Sequence, residues 1–186
     1  MPQWKDLSQW MKVGMATEVC NQWDLLTFNI NLHPELEHEL VAKGNVRLRL
    51  AERVRKQLSM AIGPGREYFF VIEGHSKDSG AQTYLHMHGA IVTADPAEMA
   101  TIKDALARAA GHDVAGRGRI ARAVHSAWFT TIRPAYMNYL FKFTLRRDPR
   151  LDDKRLVMSI PMTQAASEFW DYISRPQSNY CCADAT

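Results

Sequence analysis

Residues Tyr84-Leu85-His86-Met87-His88-Gly89-Ala90-Ile91-Val92-Thr93 combine the composition of a β-strand with two imidazoles set two residues apart. Alternate side chains of a strand share a face. His86 and His88 therefore project together, while Leu85, Met87 and Ile91 turn towards a core on the other side. A sheet built around this strand needs an apolar layer on one face and leaves polar chemistry on the other. Two neutral imidazoles side by side are half of a metal site. An isolated His-x-His is also an ordinary pair of solvated or hydrogen-bonded histidines, so the rest of the chain has to decide between the two.

Upstream, Leu26, Phe28, Ile30 and Leu32 alternate with Thr27, Asn29 and Asn31, the period-two pattern of a half-buried strand. Thr27 and Asn29 offer a hydroxyl and an amide to a phosphate or a base, or to solvent. His33-Pro34 breaks this strand, and Glu35 to Lys43 fits a short acidic helix closed by Gly44-Asn45. From Val46 to Ile62, apolar Val46, Leu50, Val54, Leu58 and Ala61 recur at helical spacing among five basic residues, predicting an amphipathic helix on one face of the sheet. Its arginines suit a solvated face or contact with a DNA backbone.

Glu67 to Glu73 is an apolar run suited to a central strand, and Gly74 to Thr83 reads as the hairpin loop into the His86 strand. Normal hairpin pairing sets Glu73 beside the two histidines. Two imidazoles and one carboxylate, with positions left for water and substrate, make a catalytic metal site. Pro96 to Ala110 predicts a helix with Asp95 as its N-cap and Met99, Ile102, Leu106 and Ala109 as its buried stripe. The Gly- and Arg-rich segment 111–122, with Arg117, Arg119 and Arg122, is a cationic loop able to wrap a phosphate backbone, or a solvated linker. Ala127 to Ile132 reads as another strand, and Pro134 opens a helix, Ala135 to Phe143. On that helix Tyr136, Tyr139 and Lys142 follow at i, i+3 and i+6 as successive surface neighbours.

Residues 1–20, with Trp4, Trp10, Met11 and Met15, suggest a short amphipathic helix or an element packed at the domain edge. After the charged connector 146–150, Thr163 to Ile173 predicts a last helix with Phe169, Trp170 and Ile173 packing back, followed by a frayed tail. The expected organisation is an extension over 1–22, a catalytic domain over 23–146, and a C-terminal helix and tail over 147–186. A net charge of +3 does not by itself declare a nucleic-acid binder, so a polyanion site must come from local clustering. Cys20 and the adjacent Cys181-Cys182 form neither a CxxC pattern nor a disulfide framework, which points to a reducing, cytoplasmic setting. No signal-peptide h-region and no apolar run of about 18 residues is present, so no membrane association is expected.

Three motifs in fixed order, Thr27-Phe28-Asn29 on a strand, His86-Met87-His88 on a strand and Tyr139-x-x-Lys142 on a helix, resemble those of the HUH endonucleases. That family comprises rolling-circle replication initiators, relaxases and single-strand transposases, and the Tyr-x-x-Lys form is most similar to the initiators. The resemblance spans residues 23–146. It implies an α+β fold, a central antiparallel sheet flanked by helices in the split βαβ arrangement of ferredoxin-like and RRM domains. The order β-α-β-β-α-β-α read from the residues agrees with it.

By the same resemblance, His86 and His88 match the paired metal ligands and Glu73 the third ligand, with His75 as the competing candidate. Tyr139 matches the nucleophile and Lys142 the lysine of the same helical turn. Tyr136 is read as a structural or substrate-positioning residue, or as a second nucleophile. The implied activity is nicking and rejoining of single-stranded or hairpin DNA through a 5′-phosphotyrosine, with Mn²⁺ or Mg²⁺ as cofactor. No phosphate-binding G-x-x-x-x-G-K-[ST] loop is present, so unwinding would fall to a separate helicase. Two other readings are a non-catalytic RRM-like nucleic-acid module, which has no need of the His86, His88 and Tyr139 set, and a metal hydrolase in which Tyr139 is dispensable.

Overall fold

The alternation around Phe28 is realised as strand β1 (Leu25–Asn31) of the computed structural model, which describes residues 2–75, 81–93, 95–113, 124–129, 134–141 and 147–175. Four more strands join it: β2 (Tyr68–His75), β3 (Gln82–Val92), β4 (Val124–Phe129) and β5 (Leu156–Met158). They form an antiparallel sheet in the order β4-β1-β3-β2-β5. The described helices are α1 (Gln9–Cys20), α2 (Pro34–Lys43), α3 (Val46–Ile62), α4 (Glu98–Ala109), α5 (Pro134–Phe141) and α6 (Ile160–Ser174). Strands β1 to β4 in the order 4-1-3-2, with helical crossovers after β1 and after β3, are the split βαβ arrangement expected. The architecture is α+β.

The two faces of the sheet have separate cores, and this division follows from strand periodicity. Leu26, Phe28, Ile30, Phe70, Ile72 and Met87 pack on one side against α2, α3 and α4. Val46, Leu50, Val54 and Leu58 of α3 are all buried there, each contributing roughly 1.5–3 kcal/mol by burial. Arg47, in the first turn of α3, reaches the β5 edge near Asp152, while the basic residues further along the helix belong to the layer opposite the two histidines' face. Leu25, Phe69, Val71 and Ala90 look the other way, onto α1, α5 and α6 through Val13, Ala16, Leu140 and Met162. Tyr68 and Phe69 are core residues, 5% and 0% exposed, so neither presents a ring to a base.

Several local expectations change. Helix α1 buries Val13, Ala16, Val19 and Cys20, with Met15 and the preceding Trp4 packed partly buried against the same core, whereas Trp10 is exposed. Strand β4 begins at Val124, three residues before the predicted start, because Val124, His125 and Ser126 find partners in Ile30, Asn29 and Phe28. Asp95 does not cap α4 directly: its carboxylate accepts the Ala97 N–H at 2.8 Å and shapes the preceding turn. Helix α6 starts at Ile160, earlier than predicted, because the Ser159 hydroxyl accepts the Met162 N–H at 3.2 Å and Pro161 suits the first turn. Trp170 packs back as expected, but Ile173 is exposed.

Strand β5 has no counterpart in the sequence reading, since three residues carry no measurable period. It is held instead by neighbours. Gln9 accepts the Arg155 and Leu156 N–H groups through Oε1, each at 2.9 Å, and donates from Nε2 to the Asp153 carbonyl. The start of α1 thereby covers part of an open sheet edge.

Gly89 leaves no room for a side chain. An added Cβ would meet the Phe69 carbonyl oxygen, with Phe70 Cβ at 2.7 Å and Phe28 Cζ at 2.8 Å. Gly89→Ala is expected to destabilise the fold by about 1–3 kcal/mol, read as a lowered urea midpoint. An unchanged midpoint contradicts this packing.

Candidate metal centre and its tyrosines

Strand β3 lies between β1 and β2, and its register fixes which side chains meet. On β2, Glu73 pairs with His86 and Val71 with His88. On β1, Asn31 pairs with His86 and Asn29 with His88. Directly paired residues share a face. Glu73, His86, His88, Asn29 and Asn31 therefore gather on the α1/α5/α6 side, at the end of the sheet where the apolar layer stops at Val71 and Ala90.

Among the described residues, Glu73, His86 and His88 form a group able to hold a metal ion, with all ligand atoms within 4.8 Å of one another. Two bonds of about 2.2 Å span at most about 4.4 Å, so rotations that move the donors by a few tenths of an ångström suffice to close the set. Glu73 is 0% exposed and His88 2%. A carboxylate taken wholly out of water calls for compensating charge or donors, and one carboxylate with two imidazoles suits a divalent cation. His86 Nδ1 lies 3.1 Å from the Tyr84 carbonyl. A proton there leaves Nε2 as the metal-facing lone pair. The donor set fits the cation that the motifs imply.

His75 stands apart from this group. The β2–β3 pairing shifts between Glu73 and His75, and His75 Nδ1 approaches Asp148 Oδ2 at 4.0 Å. Of the two candidates, Glu73 is therefore the one grouped with the histidines.

Helix α5 crosses the same face and brings Tyr139 to the histidines. Its ring lies edge-on to His88, centroids 5.0 Å apart at 83°, and His88 in turn lies 4.6 Å from the ring of His86. Tyr139 is half-buried, and burial, then the negative charge of Glu73, pushes its phenol above the ordinary range. Tyr136 stacks on Tyr139 at 6.2 Å but donates its hydroxyl to the Gly89 carbonyl at 2.9 Å. Burial, then the neighbouring Tyr139 and Cys20, raises its phenol further. One turn of helix thus carries two tyrosines with different neighbours.

The nucleic-acid contacts expected on β1 separate in a similar way. Thr27 is 9% exposed and donates its hydroxyl to the Ala127 carbonyl at 3.3 Å, within the sheet. Asn29 is half-buried beside His88, and its Oδ1 is buried with no hydrogen bond among the described residues. Arg117, Arg119, Arg122 and Lys142 lie outside the described residues.

Two features escaped the sequence reading. His125 pairs with Asn29 on β4, extending the polar row His88–Asn29–His125 across the sheet; alternation carried two residues upstream from Ala127 would have found it. The second is Arg150, named above only as part of a connector. Its guanidinium binds both Asp148 oxygens at 2.9 and 2.7 Å, Glu37 Oε1 at 2.7 Å, and the carbonyls of Thr83 and Gly74 at 2.7 and 3.0 Å. Glu37 Oε2 accepts the Leu85 N–H at 2.7 Å. This clamp closes the base of the β2–β3 hairpin next to Glu73 and His86, and a Cβ on Gly74 would collide with Arg150 and Asp148.

Comparison of the chain with protein-family models, with curated proteins and with solved structures finds no significant match. No described helix is long and apolar enough to cross a membrane.

Arg150→Ala leaves the Glu37 and Asp148 carboxylates, 11% and 0% exposed, without their counter-ion. The expected loss is about 3–5 kcal/mol in urea unfolding, with partial recovery in Arg150→Lys, which keeps the charge but not the fork. Burial tends to raise Asp148, but hydrogen bonds from Arg150 outweigh it and hold the carboxyl below the ordinary carboxylate range. A depressed folded-state value contributes stability above the free value of about 3.9 and loses it as pH falls through the folded value. Acid unfolding should therefore shift to higher pH in Arg150→Ala. Coincident acid transitions in the two proteins contradict the assignment.

Proposed function

We propose that this chain is a metal-dependent endonuclease and strand transferase of single-stranded or hairpin DNA, of the HUH type, with Tyr139 as nucleophile. The observation that carries the reading is the Tyr139 ring standing 5.0 Å from His88, beside the Glu73-His86-His88 donors. A plain metal hydrolase has no use for that phenol, and a non-catalytic RRM-like module has no use for the buried donor set. Initiation of rolling-circle replication in the cytoplasm, with a separate helicase, is the process that fits.

Glu73, His86 and His88 would hold Mn²⁺ or Mg²⁺, imidazoles favouring Mn²⁺, which supplies Lewis-acid neutralisation of the scissile phosphate. Tyr139 Oη attacks the phosphorus and loses its proton to solvent or a neighbouring base. The P–O3′ bond breaks, O3′ takes up a proton, and a 5′-phosphotyrosine and a free 3′-hydroxyl result. Reversal, with a 3′-hydroxyl attacking the phosphotyrosine, rejoins the strand and restores the phenol. The bond energy is kept in the ester, so no nucleotide cofactor is needed.

The half-buried setting of Tyr139 would limit water at the ester, and α5 holds the ring beside the donor set. The cost is a phenol that Glu73 and burial keep protonated at neutral pH. Nearby positive charge is therefore required for attack. Lys142, at i+3 in the sequence, is proposed for part of that role on spacing alone. Asn29 and His125, in the row beyond His88, are available to contact the strand as it leaves.

Incubation with labelled single-stranded oligonucleotides and Mn²⁺ should yield a covalent protein–DNA species that resists denaturation and disappears with chelator. Tyr139→Phe should abolish it. Tyr136→Phe should retain it at a stability cost of about 1 kcal/mol for the lost hydrogen bond. Adduct in Tyr139→Phe, or none in the unaltered protein on any hairpin pool, overturns the proposal. The raised phenol also predicts a rate of adduct formation that climbs between pH 7 and pH 9. A flat profile contradicts attack by the phenolate.

A further inference from the structure

A cavity of about 530 Å³ opens at the β5 edge, lined by Trp4, Lys5, Lys12, Arg47 and Lys154 among others. Among the described residues four cations line it and no carboxylate does, in a chain whose charges nearly balance. The closest acid–base approach there, Arg47 Nε to Asp152 Oδ2, is 3.9 Å, beyond hydrogen-bond distance. Lys12 Nζ stands 5.7 Å from the centre of the Trp4 ring and donates to the Lys5 carbonyl at 3.2 Å. The wall is braced by the three Gln9 hydrogen bonds to residues 153, 155 and 156.

Register ties this cavity to the metal centre. Leu156, which lines it, pairs with Val71, and Val71 pairs with His88, so the three lie in one row on one face. Two strand spacings of about 4.8 Å put the row's outer end about 10 Å from His88.

We propose that this cavity is a second binding site for a single-stranded nucleic acid, taking phosphates on Lys5, Lys12, Arg47 and Lys154 and a base against Trp4. Cations alone would select any polyanion. An aromatic ring set among them selects a strand whose bases are unpaired, because each base offers a face for stacking. The site goes beyond the nicking chemistry and depends on that reading only for the ligand being DNA. It explains how a strand could be held on either side of a nick: one end on Tyr139, the other in the cavity.

The test uses full-length Tyr139→Phe protein without divalent cation, so that neither adduct formation nor metal contributes. Binding of a fluorescent oligo-dT is measured by anisotropy as a function of salt. Lys5→Gln/Lys154→Gln should lower the slope of log affinity against log salt by about 0.7 for each phosphate contact, about 1.4 for the pair. Removing the same charge from the opposite helical layer, Lys56→Gln/Lys103→Gln, should leave the slope unchanged. Trp4→Leu should weaken binding about fivefold or more, and inorganic polyphosphate of matched charge should bind more weakly than oligo-dT. Equal slopes for both lysine pairs overturn the site. Polyphosphate binding as tightly as oligo-dT, with Trp4→Leu without effect, overturns its selectivity for nucleic acid. Loss of the adduct in the unaltered protein with these binding results intact would overturn the nuclease reading alone.

Discussion

A carboxylate with no solvent exposure, opposite one imidazole and diagonal to another, is the constraint on which the rest of the molecule depends. Glu73 occupies that position because β2 is an interior strand and pairs with β3 in a register that puts residue 73 across from residue 86. Burying such a charge costs several kcal/mol unless positive charge or donors offset it. The surrounding structure holds the arrangement from both ends. Val71, Ala90 and Phe69 press apolar packing up to its inner edge, and the Arg150 clamp on Gly74, Thr83 and Glu37 fixes the hairpin just beyond it.

The separation of the two cores makes this affordable. Helices α2, α3 and α4 bury one complete face of the sheet, and the stability it supplies leaves part of the other face free to carry polar groups. The contrast between Tyr136 and Tyr139 follows from the same geometry. Both sit on one helix face, three residues apart, yet Tyr136 reaches over Gly89 and uses its proton on a backbone carbonyl, whereas Tyr139 reaches the histidines. The missing Cβ of Gly89 serves the opposite face, where it would strike Phe28 and Phe70.

Much of this was legible from residue spacing. Alternation in Leu26–Leu32 and around His86 placed two strands and their faces, whereas the third donor was left between Glu73 and His75, because only the pairing register, with its shift between those two residues, separates them. The buried stripe of α3 followed from its 3.6-residue period. Strand β5 was not legible, since three residues gain their conformation from β2 and Gln9 rather than from their own pattern. The Arg150 clamp was not legible either: Glu37 is 113 residues away from it, and nothing local ties the two. Thr27 shows the limit of a face assignment, because its hydroxyl is on the expected face yet is used by the neighbouring strand.

The central claim is that Glu73, His86 and His88 bind one divalent cation beside Tyr139. Anomalous diffraction from crystals of the protein equilibrated with Mn²⁺ tests it most directly. The account predicts a single strong peak about 2.0–2.3 Å from a Glu73 oxygen and a nitrogen of each histidine, absent in Glu73→Gln crystals. A peak at His75 and Asp148 instead, or none near β3, would contradict it.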